Sequence, residues 1–373
     1  MRVSTGFESG RVDTLEIGKR RVVVAVPHDV AAPKFRQWFA FDVEADVGAT
    51  AEIVVANAEA CTWADAFGGE YRVYASDGDA WRRTDSKLDR GRLVVRHTFE
   101  RPRVRLAYYP PYPSSRITAL RKTVRAAGGI ESTLGYTQAG RAIERLVLGS
   151  GDRSVWIVAQ QHPGESMAGW FVEGLVSALC EGRAGARELL QKATLSIVPR
   201  MNPDGVALGN HRTNATGLDL NRVWASDDAP IEVASVRDTM KMTGAHFALD
   251  VHGDERLPWV FAQASDAYEG RPKSIGESIA AFEAAMVAAT PDYQTEHKYP
   301  KGPGGPPNLA FCANWIQHQF GCAALTLEMP FSDHKKRPDP RGFFPARARR
   351  LGEKAIVGIL AALDAQDVKT SVS

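Results

Sequence analysis

The sequence predicts an α/β protein in which helices cover both faces of a β-sheet, preceded by an all-β sandwich domain. Three observations lead to this fold class. Short runs rich in Val, Phe and Tyr fill the first hundred residues, and a proline-rich stretch follows them. Beyond that stretch, apolar strand-like runs alternate with helical patterns. A succession of short strands is typical of a sandwich, whereas alternation of strands and helices is typical of a sheet covered by helices.

β-Strands are predicted throughout the first hundred residues. Clusters of Gly, Pro, Asp and Asn separate them at spacings that suit a sandwich better than βαβ units. In the second run, Phe39, Phe41 and Val43 occupy alternate positions, which predicts a half-buried strand with one apolar face. The six runs are RRVVVAV from Arg20, RQWFAFDV from Arg36, EIVVANA from Glu52, YRVYAS from Tyr71, RLVVRHTF from Arg92 and VRLAYY from Val104.

The strongest break in the chain is YYPPYPSS, which starts at Tyr108. Its prolines remove backbone donors and disfavour helix before them, so we place a domain boundary here. The predicted domains are residues 1–110, the β-sandwich, and residues 111–373, the α/β domain. Helical spacing predicts a helix over residues 165–181. The buried strands predicted in the α/β domain are SVWIVAQQ from Ser154, LSIVPR from Leu195, HFALDVHG from His246 and AALTLEM from Ala323.

Composition excludes several classes of protein. With 46 Lys and Arg against 44 Asp and Glu, the formal charge of +2 is too balanced for binding nucleic acid through the overall field. No apolar run approaches the ~18 residues of a membrane span, and the first residues lack the apolar core of a signal peptide. The four cysteines are scattered without CxxC spacing, which indicates neither a disulfide framework nor a Cys-rich zinc site. We therefore expect a soluble, cytoplasmic protein that binds neither nucleic acid nor membrane.

Polar side chains follow the predicted strands of the α/β domain, where sites gather in sheets of this kind. His162 and Glu165 follow the first strand and His252 follows the third. Together they would supply three ligands and leave the open position of catalytic zinc. Glu328 ends an apolar run, where a carboxylate is costly unless it has a task, so it is a candidate general base. From the residues alone, a core histidine and a salt-bridged glutamate remain open alternatives.

Two arginines, Arg212 and Arg222, lie in a polar stretch over residues 210–224 that has no strand signal. A guanidinium presents a planar fork of donors that matches a carboxylate or a developing oxyanion. The alternative is a solvated loop with structural Arg–Asp pairs.

These residues resemble the zinc carboxypeptidases of the M14 class, and most of all the cytosolic carboxypeptidase-like branch. The resemblance covers about residues 112–345, and the preceding β region resembles that branch's N-terminal sandwich domain. It implies a carboxypeptidase-like mixed β-sheet covered by helices and one zinc ion per chain. The motifs that carry it are HPGES with His252, NPDG, GNHR, GLDLNRVW and LTLEMPF.

The resemblance also implies a role for each motif residue. His162, Glu165 and His252 match the zinc ligands, and Glu328 matches the general base and acid that activates zinc-bound water. A peptide or protein C-terminus would be the substrate, and its terminal residue would be removed.

Three further residues match substrate-binding positions of the family. Arg212 matches the arginine that polarises the scissile carbonyl and holds the oxyanion. Asn221 and Arg222 match the pair that binds the substrate's C-terminal carboxylate.

The chain departs from the family in two respects. Pancreatic members have a mobile tyrosine over the site; Tyr299 is the nearest candidate here, and we expect it to be an ordinary loop tyrosine. Relatives that trim glutamates need a basic pocket, yet residues 302–327 contain no Lys or Arg, only His318. A preference for acidic substrates is therefore doubtful.

Two other functions compete with the metallocarboxypeptidase hypothesis. A zinc deacylase acting on N-acyl amino acids, similar to aspartoacylase, would also use Asn221 and Arg222, because its substrate presents a carboxylate as well. The sandwich domain favours the carboxypeptidase. A non-catalytic peptide-binding protein is the third hypothesis, but binding alone needs neither Glu328 nor Arg212.

Overall fold

The N-terminal region is all-β, as the sequence predicts. A computed structural model describes residues 1–78, 80–265, 270–300 and 306–367. The six predicted runs overlap strands β3, β4, β5, β6, β9 and β10 of the following set, so these predictions are confirmed. The strands are β1 (Arg2–Ser4), β2 (Asp13–Ile17), β3 (Arg21–Ala25), β4 (Ala40–Glu44), β5 (Thr50–Val55), β6 (Tyr74–Ser76), β7 (Arg82–Arg83), β8 (Lys87–Asp89), β9 (Arg92–Thr98) and β10 (Arg103–Ala107).

These strands form two five-stranded sheets, in the orders β1-β4-β10-β6-β7 and β2-β3-β5-β9-β8. Neighbouring strands are antiparallel except for β3 and β5, which are parallel. Apolar side chains of both sheets, such as Phe41 and Ile53, share one buried core, as in a sandwich. The alternation predicted that β4 would be buried on one face only. This prediction is wrong, because Asp42 on the other face is also buried and accepts two hydrogen bonds from Arg105.

The proline-rich stretch joins the two regions. β10 ends at Ala107, and the first helix begins at Ser114. Tyr108 and Tyr109 of this stretch are fully buried, and the Tyr109 hydroxyl donates to the carbonyl oxygen of Phe343 at 2.7 Å. The connection is therefore packed between the two regions, while the domain division after residue 110 remains a prediction.

The second region contains a seven-stranded mixed sheet covered by helices, which confirms the predicted fold class. Its order is β11-β12-β14-β13-β15-β17-β16, with parallel pairing from β14 to β17 and antiparallel pairing at both edges. The strands are β11 (Ile130–Tyr136), β12 (Ala142–Leu148), β13 (Arg153–Ala159), β14 (Ala193–Val198), β15 (Phe247–Val251), β16 (Phe261–Ala264) and β17 (Ala323–Glu328). The helices are α1 (Ser114–Ala126), α2 (Met167–Cys180), α3 (Ala186–Lys192), α4 (Pro203–Leu208), α5 (Ile231–Thr243), α6 (Lys273–Ala289), α7 (Cys312–Phe320) and α8 (Pro345–Asp367).

Alternate residues of the central strands face two separate cores. Val155 and Ile157 of β13 belong to the core that α2, α6 and α8 share. Trp156 and Val158 belong to the core beneath α5 and α7. Because both faces are covered, the central strands are mostly apolar, which made them recognisable in the sequence.

Helices α2 and α8 pack in very close contact. A Cβ atom at Gly174 of α2 would lie 1.9 Å from the carbonyl oxygen of Arg349, and one at Gly352 of α8 would lie 2.0 Å from that of Phe171. Such backbone approach requires glycine on both helices. Within the described ranges, no helix combines the length and the apolar character that crossing a bilayer requires.

Candidate active site

A cavity of about 340 Å³ opens at the carboxyl ends of the parallel strands. His162 follows β13, His252 follows β15 directly, and Glu328 is the last residue of β17. The register pairs Ala159 of β13 with Val251 of β15, so these strands end at the same level. The structure brings all seven predicted site residues to this cavity: His162, Glu165, Arg212, Asn221, Arg222, His252 and Glu328.

Three buried side chains, those of His162, Glu165 and His252, point atoms that could bind a metal ion at a common centre. We call these three residues the donor set. The Nδ1 atom of His162 lies 2.7 Å from one carboxylate oxygen of Glu165, and the Nδ1 atom of His252 lies 2.7 Å from the other. The two Nδ1 atoms are 3.0 Å apart, and one donor atom from each residue fits within 4.8 Å of the others. Two imidazole nitrogens and a carboxylate that converge in this way fit a zinc ion with an open position.

Carboxylates outside this centre orient both imidazoles. The Nε2 atom of His162 lies 3.0 Å from Asp219, and the Nε2 atom of His252 lies 2.9 Å from Asp250. A carboxylate on Nε2 holds the proton there and leaves the Nδ1 lone pair directed at the centre. This hydrogen-bond pattern is common around metal-ligating histidines and supports the fit to zinc.

Sequence reasoning selected neither of these carboxylates. Asp250 could have been found, because it lies two residues before His252 and therefore on the same face of the strand. Asp219 carried no such signal. Burial disfavours its charged form, but His162 and then Arg212 outweigh burial and hold the pKa of Asp219 below its ordinary value.

Glu165 is the only acidic member of the donor set and is fully buried. Burial favours its neutral form, yet the imidazoles of His162 and His252 outweigh burial and hold the pKa of Glu165 below its ordinary value. The backbone N–H of Gly253 also donates to this carboxylate at 3.1 Å. Glu165 is therefore available as an anionic ligand.

Arg212 approaches the donor set from one side. Its Nε atom donates to Asp219 at 2.8 Å, and its Nη1 atom lies 3.7 Å from a Glu165 oxygen. The side chain is only 13% exposed, so the guanidinium is held by these acids rather than by water. Asp219 thus fixes both a histidine of the donor set and this arginine.

Arg222 and Asn221 differ in how freely they face the cavity. The Arg222 guanidinium donates from Nη1 to the carbonyl oxygen of Asn221 and lies over the Phe311 ring at 4.2 Å, with 43% of the side chain exposed. The Asn221 amide is buried; its oxygen accepts from the backbone N–H of Cys312, and its nitrogen donates to Asp250. The sequence did not predict that the Asn221 amide would be hydrogen-bonded to other residues of the protein.

Glu328 has one engaged and one unengaged carboxylate oxygen. Its Oε1 atom lies 3.0 Å from the Tyr299 hydroxyl, whereas Oε2 is buried without a hydrogen-bond partner among the described residues. The Tyr299 hydroxyl also lies 2.5 Å from Asp254. Burial raises the pKa of Glu328 well above its ordinary value, and Asp254 and Glu165 act in the same direction.

The structure corrects the expectation for Tyr299. Its hydroxyl contacts Glu328, and its ring packs edge-on against Phe261 at 5.2 Å. Tyr299 therefore lines the cavity and is not a loop tyrosine remote from the site. The position after β16 and α6 carried no periodic signal, because its contacts lie far away in the sequence.

Two family models together match most of the chain, and one relative matches nearly its whole length. Residues 3–109 match the cytosolic carboxypeptidase N-terminal domain, and residues 130–351 match the zinc carboxypeptidase domain. An uncharacterized protein of Zymomonas mobilis is 33% identical over 369 residues, which cover 98% of this chain and 97% of that protein.

Solved structures of bacterial metallo-carboxypeptidases resemble the whole chain. One from Burkholderia cenocepacia is 36% identical with a TM-score of 0.92, over 97% of this chain and 99% of that one. One from Pseudomonas aeruginosa, solved in complex with (2-guanidinoethylmercapto)succinic acid, is 34% identical with a TM-score of 0.92, over 98% of this chain and 100% of that one. The chain therefore belongs to the M14 family of zinc carboxypeptidases, in the branch that carries the cytosolic carboxypeptidase N-terminal domain.

Proposed function

We propose that this metallocarboxypeptidase uses one zinc ion to remove C-terminal residues from peptides or protein tails. One observation carries the proposal. A convergent His/Glu/His donor set, a buried carboxylate with an unengaged oxygen and two arginines share one cavity. Each of these groups suits one requirement of peptide hydrolysis: a metal, a proton acceptor and positive charge for the substrate.

His162, Glu165 and His252 would hold the zinc ion. When bound, zinc supplies a Lewis acid that activates water and polarises a carbonyl group. Asp219 and Asp250 keep the protons of the two imidazoles on Nε2, so both Nδ1 atoms remain available as ligands.

Glu328 would carry the proton in the reaction. Its unengaged Oε2 atom accepts a proton from the attacking water and returns it to the nitrogen of the leaving amine as the C–N bond breaks. Tyr299 holds the other oxygen and so orients the carboxylate. Arg212, fixed by Asp219, would donate to the carbonyl oxygen as negative charge develops on it.

Arg222 would bind the C-terminal carboxylate of the substrate. It is more exposed than Arg212, and it lies on Phe311 at the wall of the cavity. Asn221 would assist through the N–H that remains after its bond to Asp250. The succinic acid derivative bound to the Pseudomonas protein carries carboxylates, the chemistry that a guanidinium fits.

The rest of the cavity wall combines neutral polar side chains with apolar ones and with one further carboxylate, that of Glu255. Arg212 and Arg222 are the only Lys or Arg residues among its described lining residues. Residues 302–305, part of the segment without Lys or Arg, lie outside the described residues. We propose that the substrate's terminal side chain is neutral rather than acidic. The neutral polar lining residues are Gln263, Ser265, Asn314 and Thr326.

Free-acid and C-terminally amidated peptides test the exopeptidase proposal. The amide removes the charge that Arg222 is proposed to bind, so we expect efficient cleavage of the free acid alone. With Arg222→Ala, the free acid should lose most of its advantage, mainly through a higher KM. Equal cleavage of both peptides by the wild type would refute the proposal, and faster hydrolysis of N-acyl amino acids would favour the deacylase.

The domain division and the cellular location belong to the same proposal. We propose residues 1–110 and 111–373 as the two domains. We also propose the cytoplasm as the location, in line with the match to a cytosolic carboxypeptidase N-terminal domain.

A further inference from the structure

Asp29, in the N-terminal β region, contacts the loop that carries Arg212. One of its carboxylate oxygens accepts from the backbone N–H of His211 at 2.7 Å. The other accepts from the backbone N–H groups of Arg212 and Thr213, at 2.8 and 3.0 Å, and from the Thr213 hydroxyl at 3.1 Å. The side chain of Asp29 is buried, so water does not compete for these bonds.

Successive backbone N–H groups that point to one side form a concave site for an anion. Residues 211–213 form such a site, and the carboxylate of Asp29 occupies it. Hydrogen bonds to a charged acceptor are stronger than neutral ones, and they fix the backbone on both sides of Arg212. The direction in which the Arg212 side chain leaves the backbone is therefore set from the N-terminal region.

Asp29 is itself held in place by a compact turn. Its backbone N–H donates to the carbonyl oxygen of Phe35 at 2.8 Å, and its carbonyl oxygen accepts from Ala32 at 3.2 Å. The neighbouring residue Val30 donates its backbone N–H to the side chain of Asn210 at 2.8 Å. The turn and the arginine loop are thus joined at consecutive positions.

An aromatic side chain of the same region supports the loop from another direction. The Trp63 ring lies 5.2 Å from the His211 ring, and the Arg212 guanidinium lies 5.8 Å from the Trp63 ring. The imidazole of His211 contacts Glu255 at 2.7 Å on its far side. The arginine loop is therefore enclosed between the N-terminal region and the cavity.

We propose that Asp29 is a positioning residue for Arg212, so that the N-terminal β region completes the active site. The proposal rests on the role of Arg212 at the developing oxyanion. Asp29 does not contact the cavity; it acts by holding the backbone from which Arg212 reaches Glu165 and Asp219. Loss of Asp29 should therefore affect the transition state more than substrate binding.

The variant Asp29→Asn tests this role with little change of volume. The asparagine amide has one acceptor oxygen for the four donors of residues 211–213. Its own N–H groups then face the donors that the oxygen does not reach. We expect kcat to fall by about tenfold to a hundredfold, since a misplacement of about 1 Å can cost ~10²-fold. KM should change little. Asp65→Asn is the control, because the Asp65 carboxylate pairs with Arg256 across the same contact between regions and not with the backbone of residues 211–213.

A double-mutant cycle with Arg212→Ala separates positioning from general damage. If Asp29 acts through Arg212, adding Asp29→Asn to Arg212→Ala should cost little further kcat. A loss of the same size in both backgrounds would overturn the inference, as would a normal kcat for Asp29→Asn beside an impaired Arg212→Ala. A normal kcat for Arg212→Ala would instead refute the proposed oxyanion role, and the inference with it.

Thermal unfolding and zinc content measured on each variant identify misfolding. If Asp29→Asn fails to fold, Thr213→Val removes only the hydroxyl bond to Asp29 at similar volume. Its smaller loss of kcat should also disappear in the Arg212→Ala background. A loss that persists there would contradict the positioning role.

Discussion

Asp219 offers the sharpest test of how the cavity is organised, because one carboxylate holds two different functional groups. Oδ1 lies 3.0 Å from His162 Nε2, and Oδ2 accepts from Arg212 Nε at 2.8 Å. In Asp219→Asn the amide has a single acceptor oxygen, so it can keep only one of these partners and must direct N–H at the other. The variant is nearly isosteric, so packing should survive.

The expected size of the effect follows from these two contacts. Loss of a carboxylate behind a metal-ligating histidine typically weakens metal binding by about 10- to 100-fold, or about 1.4 to 2.8 kcal/mol. Loss of the hold on Arg212 should lower kcat even when zinc is saturating. Removal of an oxyanion donor sets the upper limit, about 10²–10³-fold.

Asp250→Asn provides the matched control. Asp250 lies behind His252 in the same way, but its other partners are Gln161, Asn221 and the Cys312 thiol, and none of them is an arginine. Both variants should bind zinc more weakly in a chelator competition assay. At saturating zinc, Asp250→Asn should regain most of the wild-type kcat, whereas Asp219→Asn should not. Full recovery of Asp219→Asn would refute the dependence of Arg212 on Asp219, and unchanged zinc affinity in both variants would refute the orienting role of the carboxylates.

Three other predictions concern the metal, the proton carrier and the substrate. His162→Ala should lose zinc and activity together, and full zinc occupancy in the His162→Ala/His252→Ala double variant, measured by elemental analysis, would contradict the ligand assignment. Glu328→Gln should keep zinc and the fold but lower kcat by ~10²–10⁴-fold, and a loss below about tenfold would assign Glu328 a structural role. Peptides ending in Gln should be cleaved faster than otherwise identical peptides ending in Glu, and the reverse order in product mass measurements would show an acidic preference.

The strands that carry the site were predictable because they are buried on both faces. A strand such as β13 is a continuous apolar run, and the polar residues that follow it mark its carboxyl end. The sequence did not reveal β2 and β8, and every residue of these two strands is exposed. Both are edge strands that pair only with the next strand in the chain, β3 and β9, and they have no buried face that would give a periodic apolar pattern.

Hydrogen-bond partners were harder to predict than the residues that line the cavity. Asp42 was unremarkable in the sequence, yet it is buried because Arg105, 63 residues away, neutralises it across the sheet. Asp29 and Arg212 are 183 residues apart, and only the folded chain brings them together. A single sequence shows which chemistry a side chain can supply, but it does not show which distant residues form its hydrogen bonds.

The close crossing of α2 and α8 links the proposed metal ligands to the last helix of the described residues. Glu165 lies just before α2, so the placement of that helix sets the placement of the carboxylate. A methyl group added at Gly352 would press on the backbone at Phe171, and overpacking of this kind typically costs about 1–3 kcal/mol when the helices move apart. Substitutions in α8 could therefore change metal affinity without touching the cavity. Mutant libraries aimed at catalysis should include the contact between α2 and α8 as well as the cavity residues.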